Sequence, residues 1–180
     1  MLSIEELFFR LERREQLTAF ITESNRIEGI TDPPTSADVA LFDKFIQRRR
    51  VNVQHVIDFV AHFQPGARLR DDTSIRGVRV GKYIKPPSGP EIRDRLIHIL
   101  RQIRDGNLSP FQAHVEYEML HPFTDGNGRS GRAIWLWHMS MLGHEGKALA
   151  LGFLQNFYYQ TFESHQWKTD THGAVHAVIP

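Results

Sequence analysis

The chain has 180 residues, 41% apolar and 24% charged, with a formal net charge of +1. That balance suits one globular domain with a buried core, and it carries no global electrostatic pull toward nucleic acid or anionic membrane. Cysteine is absent, which excludes disulfides and thiolate metal sites and fits a reducing compartment.

The first run, MLSIEELFFRLERREQL, is charged at helical spacing and lacks the unbroken apolar core of a signal peptide. No apolar stretch approaches the length of a membrane span. The expectation is a soluble, cytoplasmic protein that binds neither nucleic acid nor membrane, with export by another kind of signal left open. Ser3 and Glu6 read as a capping box, and Ile4, Leu7, Phe8 and Leu11 share one helical face. A second stripe holds Leu17, Phe20, Ile21, Ser24, Ile27 and Glu28, and Gly29 should stop the helix before Asp32-Pro33-Pro34. The next helix starts at Ser36 and carries Val39, Leu41, Phe42, Phe45 and Ile46. Another spans Val53 to Phe63 and ends at Pro65-Gly66. Ile75 to Lys85 alternates and reads as a short hairpin or flap. Pro90 opens a helix with Ile92, Leu96, Ile99, Leu100 and Ile103 inside, and Gly106 ends it. Ser109-Pro110 opens the helix that leads to His121. Arg129 to Leu142 is helical again, and a last helix covers about Leu151 to Trp167. The fold class is mainly α with one small β-hairpin. A single domain spans 1–180: a leading helical region to 30, a core from about 36 to 167, and a weakly signalled tail over 168–180.

The chemistry concentrates in HPFTDGNGRSGR, His121 to Arg132. A helix ends, a short loop follows, and a helix begins. Gly126 and Gly128 let backbone N–H groups approach a ligand closely where the new helix presents unpaired donors and its positive dipole end. This is an anion site of the kind that holds phosphate. Arg129 and Arg132, one turn apart, can point back at the anion. Asp125 is a hard oxygen ligand suited to Mg2+. His121 is the one group in the run that accepts a proton near neutral pH. The bland alternative is a helix-capping loop with a packed histidine, and it must account for His, Asp, Asn, two glycines and two arginines in one array. The set describes phosphoryl or nucleotidyl transfer.

HPFTDGNGRSGR resembles the Fic motif, H-x-F-x-(D/E)-G-N-G-R-x-x-R, at every fixed position, and similarity extends in outline from about Ser24 to Gln166. The resemblance implies a helical Fic (Fido) fold and protein adenylylation, in which AMP moves from ATP to a Ser, Thr or Tyr hydroxyl. It makes His121 the base, Asp125 the Mg2+ ligand, and Gly126, Asn127 and Gly128 the anion hole. Arg129 and Arg132 become the phosphate clamps, with Phe123 structural. VRVGKYIKPP, residues 78–87, sits where the family has its flap. There a target protein, or a second copy in self-modification, pairs through its main chain. Lys82 and Tyr83 at its tip border the nucleotide. Tyr158-Tyr159 falls where relatives flank the adenine, although aromatics at that spacing are as readily core, and the Ala-Asn that often follows is replaced by His165-Gln166.

Glu28 shares the stripe of Leu17, Ile21 and Ser24, so its carboxylate should face inward and need a cation. Ser24-Asn25-Arg26-Ile27-Glu28-Gly29 resembles the family's inhibitory motif, (S/T)-x-x-x-E-(G/N), whose glutamate pairs with the second arginine, here Arg132. The expected protein is an autoinhibited protein adenylyltransferase using ATP and Mg2+. The alternatives are removal of AMP, transfer of another nucleotide or phosphate group, and a catalytically silent module of the same fold. The target and oligomeric state stay open. Arg48-Arg49-Arg50 reads as a solvated charge run, and His172 and His176 lack a third metal ligand.

Overall fold

The computed structural model describes residues 4–80 and 83–166, with side chains over 11–78 and 84–161. Seven helices follow in chain order: α1 Ile4–Ile27, α2 Ser36–Ile46, α3 Val53–Phe63, α4 Pro90–Arg104, α5 Pro110–Leu120, α6 Asn127–Met141 and α7 Glu145–Gln166. Between α3 and α4, β1 (Arg79–Val80) pairs antiparallel with β2 (Tyr83–Ile84), Arg79 opposite Ile84 and Val80 opposite Tyr83. None of these helices is long and apolar enough to cross a membrane.

Local chemistry sets most of the boundaries. Thr35, Asn52 and Ser109 cap α2, α3 and α5, each accepting from the backbone N–H three residues on while that residue's side chain reaches back. At the end of α1, the Gly29 N–H bonds to the Arg26 carbonyl and the Ile30 N–H to the Asn25 carbonyl, both at 3.0 Å. Gly29 has φ +75°, so this is the left-handed glycine stop that its position suggests.

α6 is the axis of the domain. Every residue from Arg129 to Met139 is buried, because α5, α2, α7, α3 and α1 pack around it. A helix apolar or enclosed on all sides belongs in the centre of a bundle. Its N-terminus therefore opens into the protein, sheltered on several sides, and this positions the site.

α1 lies against α7, α2 and α6. Leu17, Phe20, Ile21 and Ser24 are fully buried, and Phe20 stacks parallel on Trp135 at 6.2 Å. Arg13 ties the helix to Glu145 of α7 at 2.7 Å and to Asp43 of α2. Glu23 accepts from the backbone N–H groups of Phe153 (2.6 Å) and Leu154 (3.2 Å).

Several expectations need correction. α6 starts at Asn127, two residues before Arg129, because Gly126 in the left-handed region forms its N-cap. The last helix begins at Glu145 rather than near Leu151, and Gly152 (φ 73°, ψ 176°) breaks it. Glu23 then caps the segment beyond the break. Ile27 and Leu11 face outward, 40% and 56% exposed, because the inward stripe runs Leu17, Ile21, Ser24 and on toward Glu28 at steps of three and four residues. The strand pairing is much shorter than the alternation over Ile75–Lys85 suggests. Asp72 closes a turn by accepting from the Ser74 and Ile75 N–H groups, and Ile75 goes into the interior instead of a ladder. Ser3, Lys82, Trp167 and the 168–180 tail with His172 and His176 lie outside the described residues. So do the side chains of Ile4, Glu6, Leu7, Phe8, Tyr83, His165 and Gln166.

Two buried histidines give the fold a pH dependence. Burial lowers His114 and His138 to about pH 4, from the usual value near 6.5. In the unfolded chain both take a proton at about 6.5. Between these values the unfolded state binds more protons, so stability is lost as pH falls from 6.5 toward 4, by up to about 1.4 kcal/mol per pH unit for each histidine. Thermal melts from pH 7 to 5 should show a falling midpoint, and His138→Leu should flatten the slope. A midpoint independent of pH over that range would contradict the assignment.

Candidate active site

The end of α5, the loop and the start of α6 are fastened by one another. His121 caps α5 in the left-handed region (φ 49°, ψ 63°), the one non-glycine with positive φ among the described residues. The Asn127 side chain accepts from the Phe123 N–H at 2.9 Å and donates to the Phe123 carbonyl at 2.8 Å. Its amide is thus occupied in shaping the loop, and only its backbone is available to a ligand. Phe123 is buried and pairs with Leu69 through an isolated bridge. Tyr117 and Ser130 join α5 to α6 through a 2.6 Å hydroxyl contact.

A strained cap needs support, and Arg70 supplies it. This fully buried guanidinium donates to the carbonyls of Leu120 (2.9 Å), His121 (2.8 Å) and Pro86 (2.8 Å). Its own N–H bonds to the Pro122 carbonyl. One side chain therefore saturates the last turn of α5 and holds the base of the flap to it. Sequence reasoning missed Arg70. The guanidinium's partners lie as far as 51 residues away and, Ser88 Oγ at 3.3 Å aside, are backbone atoms, which leave no mark in a sequence.

The charged groups of the motif converge. The Arg132 Nε donates to Ser24 Oγ at 2.8 Å, and its Nη2 donates to the Ser24 carbonyl at 3.0 Å and to Glu28 Oε1 at 2.6 Å. Arg132 is 5% exposed and Glu28 38%, so the carboxylate is only partly sheltered, contrary to the expectation of a buried one. A Cβ on Gly128 would collide with Glu28 Oε1. The carboxylate thus rests on the first turn of α6, where the helix dipole favours a negative charge. Arg129 turns its guanidinium over the Phe63 ring at 4.9 Å, and its Nε is buried without a partner. Asp125 is exposed, with Oδ1 accepting from the Gly126 N–H at 2.6 Å. Gly126 has φ +75°, and a Cβ there would press on Val60 and Gln64 at 3.3 Å, so the turn requires glycine.

Desolvation, and then the charges of Lys85 and Arg70, lower His121 to about pH 4. At neutral pH the imidazole is uncharged and able to accept a proton.

The structure brings together Ser24, Glu28, His121, Asp125, Gly126, Asn127, Gly128, Arg129 and Arg132. Tyr158 and Tyr159 are not core: they are 59% and 49% exposed, edge to face with each other at 5.9 Å. The aromatics that face inward from α7 are Phe153 and Phe157, around the buried His114 ring. Tyr83 lies on β2. Lys85 reaches from just beyond β2 to the Glu118 carbonyl at 2.9 Å.

A helical bundle whose central helix opens on a glycine-flanked N-terminus beside a histidine and two arginines has donors and cations placed for an anion. Residues 53–139 match the model of the Fic/DOC family, so that stretch of the chain is a Fic domain. The family's members are in general transferase-type enzymes that use nucleotide substrates. The match runs from α3 into α6, so α1 with Ser24 and Glu28, and α7 with Tyr158 and Tyr159, lie outside it.

Proposed function

We propose that this chain is a protein adenylyltransferase held off by Glu28. The observation that carries the reading is the Glu28 carboxylate itself: it lies on the Gly128 turn, paired with Arg132, beside a neutral histidine. An anion already favoured at that spot marks where a substrate phosphate would go.

In the proposed reaction the target hydroxyl oxygen forms a bond to the α-phosphorus of ATP as the bond from that phosphorus to the bridging oxygen breaks. His121 takes the hydroxyl proton, and pyrophosphate leaves with the bonding pair. The backbone N–H groups of 126–128 hold the phosphate oxygens, and Arg129 and Arg132 hold the outer phosphates. Asp125 offers one exposed carboxylate, and no group of three candidate ligands occurs among the described residues. One carboxylate would suit a Mg2+ ion carried in by the nucleotide, and such an ion would supply charge screening at the phosphates. The strand pair at 79–84 is the place for a target segment to add by main-chain pairing.

The donor group separates this reading from phosphate transfer. Protein in which Glu28→Gly has removed the plug should label a lysate target, or itself, from ATP carrying the label on the α-phosphorus and not from ATP labelled on the γ-phosphorus. Labelling from the γ position alone would replace the reading with phosphotransfer. Loss of label from a pre-adenylylated target would favour AMP removal.

A further inference from the structure

Glu118 lies one turn before His121 on α5, and neither the anion site nor the flap uses its side chain. Its Oε2 stands 3.8 Å from His121 Nδ1. That is too long for a hydrogen bond and within range of an ion pair. His121 Nδ1 is buried with no hydrogen-bond partner, and so is the other carboxylate oxygen, Glu118 Oε1. Oε1 sits against Gly131 of α6, where a Cβ would come within 2.5 Å of it, so the carboxyl group has its place because residue 131 is glycine. A buried unpaired ring nitrogen is costly, and a shift of about an ångström would bring Nδ1 and Oε2 to ordinary hydrogen-bond length.

We propose that Glu118 is a positioning residue for His121: its carboxylate accepts a hydrogen bond from Nδ1–H and so holds the tautomer whose Nε2 lone pair faces the target hydroxyl. Nδ1 is the buried nitrogen, so the edge carrying Nε2 is the one offered to substrate. When Nε2 takes the hydroxyl proton, the imidazolium charge forms beside the carboxylate, and the proton on Nδ1 stays where it was. The inference rests on His121 being the base.

The surrounding charges fit the role. Lys85 and Arg70 face His121 from the segment after β2 and from the loop before it, and both disfavour a protonated ring. Arg132 of α6, Glu28 beyond α1 and Lys85 act on Glu118. Burial raises its pKa, Arg132 and Lys85 lower it, and Glu28 raises it. Withdrawal of the Glu28 carboxylate therefore favours the ionised form of Glu118, and it also removes a charge that favours a protonated His121.

Two measurements test this. Nitrogen-15 NMR of the full chain, with the His121 ring assigned by its loss in His121→Ala, should show the Nδ1–H tautomer in the wild type. An Nε2–H tautomer overturns the proposal, and this readout needs no activity and no Glu118 variant. In the Glu28→Gly background, Glu118→Gln and Glu118→Ala should lower kcat by about tenfold to a hundredfold with KM for ATP unchanged. The acid limb of the kcat profile should move to lower pH, because removing a negative neighbour makes the imidazolium easier to deprotonate. Unchanged kcat with an unmoved limb overturns the proposal. An Nδ1–H tautomer in a protein with no transferase activity would leave the positioning intact and count against the proposed reaction instead.

Discussion

Glu28→Gly is expected to raise ATP-dependent labelling by about tenfold to a hundredfold, the size of an ordinary coupling between two sites, while α1 stays docked. The magnitudes separate the two jobs of that helix. Leu17, Phe20 and Ile21 are buried to within 1% of full enclosure, and each such side chain contributes on the order of 1.5–3 kcal/mol. Glu28 is more than a third exposed, and a pair of that kind contributes about 1 kcal/mol or less after screening. Deleting its side chain therefore empties the Gly128 turn and releases one donor of Arg132. The two contacts from Arg132 to Ser24 and the apolar seat remain. Adding His121→Ala to the same protein should cut labelling by about 10²–10⁴-fold, the usual contribution of a general base. The check is a labelling time course beside a thermal melt. Equal labelling by wild type and Glu28→Gly, with ATP bound equally well to both, would show that the carboxylate is not what limits turnover.

Arg70→Ala should have the largest effect on stability. It strands the carbonyls of Leu120, His121 and Pro86 in the interior and leaves a cavity. Unsatisfied buried acceptors cost about 1–3 kcal/mol each, so a loss of at least about 3 kcal/mol is expected. For a domain of this size that lowers the melting midpoint by roughly 10 °C. Arg70→Lys should recover only part of it, because an ammonium lacks the planar fork that spans Leu120, His121 and Pro86 at once. A midpoint within a degree or two of wild type for Arg70→Ala would mean that the α5 terminus finds other donors.

Much of this was legible because it is local. The bounds of α3 follow from its apolar period from Val53 and from Pro65-Gly66 behind it, and the Gly29 stop has a matching φ. The cluster of His121, Asp125, Gly128 and Arg132 was readable because all of it falls within one loop and one turn. Glu28 opposite Arg132 is 104 residues distant, and it was accessible only through its helical stripe and a family resemblance. What stayed hidden is tertiary. Arg70 bonds to carbonyls, Gly152 breaks a helix whose far part is capped from α1, and Asn127 turns its amide inward. None of these carries a periodic or compositional signature. The tyrosine pair shows the opposite failure: a spacing that suggests either core or a base-binding wall, on side chains that are half exposed or more.

Glu23, on the side of α1 that faces α7, closes the N-terminal end of the α7 segment beyond Gly152. α1 is thereby a structural member of the domain, and removing it would cost the fold a cap and the stack of Phe20 on Trp135. In the proposed inhibition the moving part would be correspondingly small: one carboxylate turning about its own side-chain bonds. Rotations of exposed side chains take picoseconds to nanoseconds, and the Arg132 pair must break first. On that reading the blocked and open forms exchange faster than turnover, and activity should begin without a lag when nucleotide is added. The degree of inhibition is then set by how well phosphate competes with Glu28, and not by how often a helix comes loose.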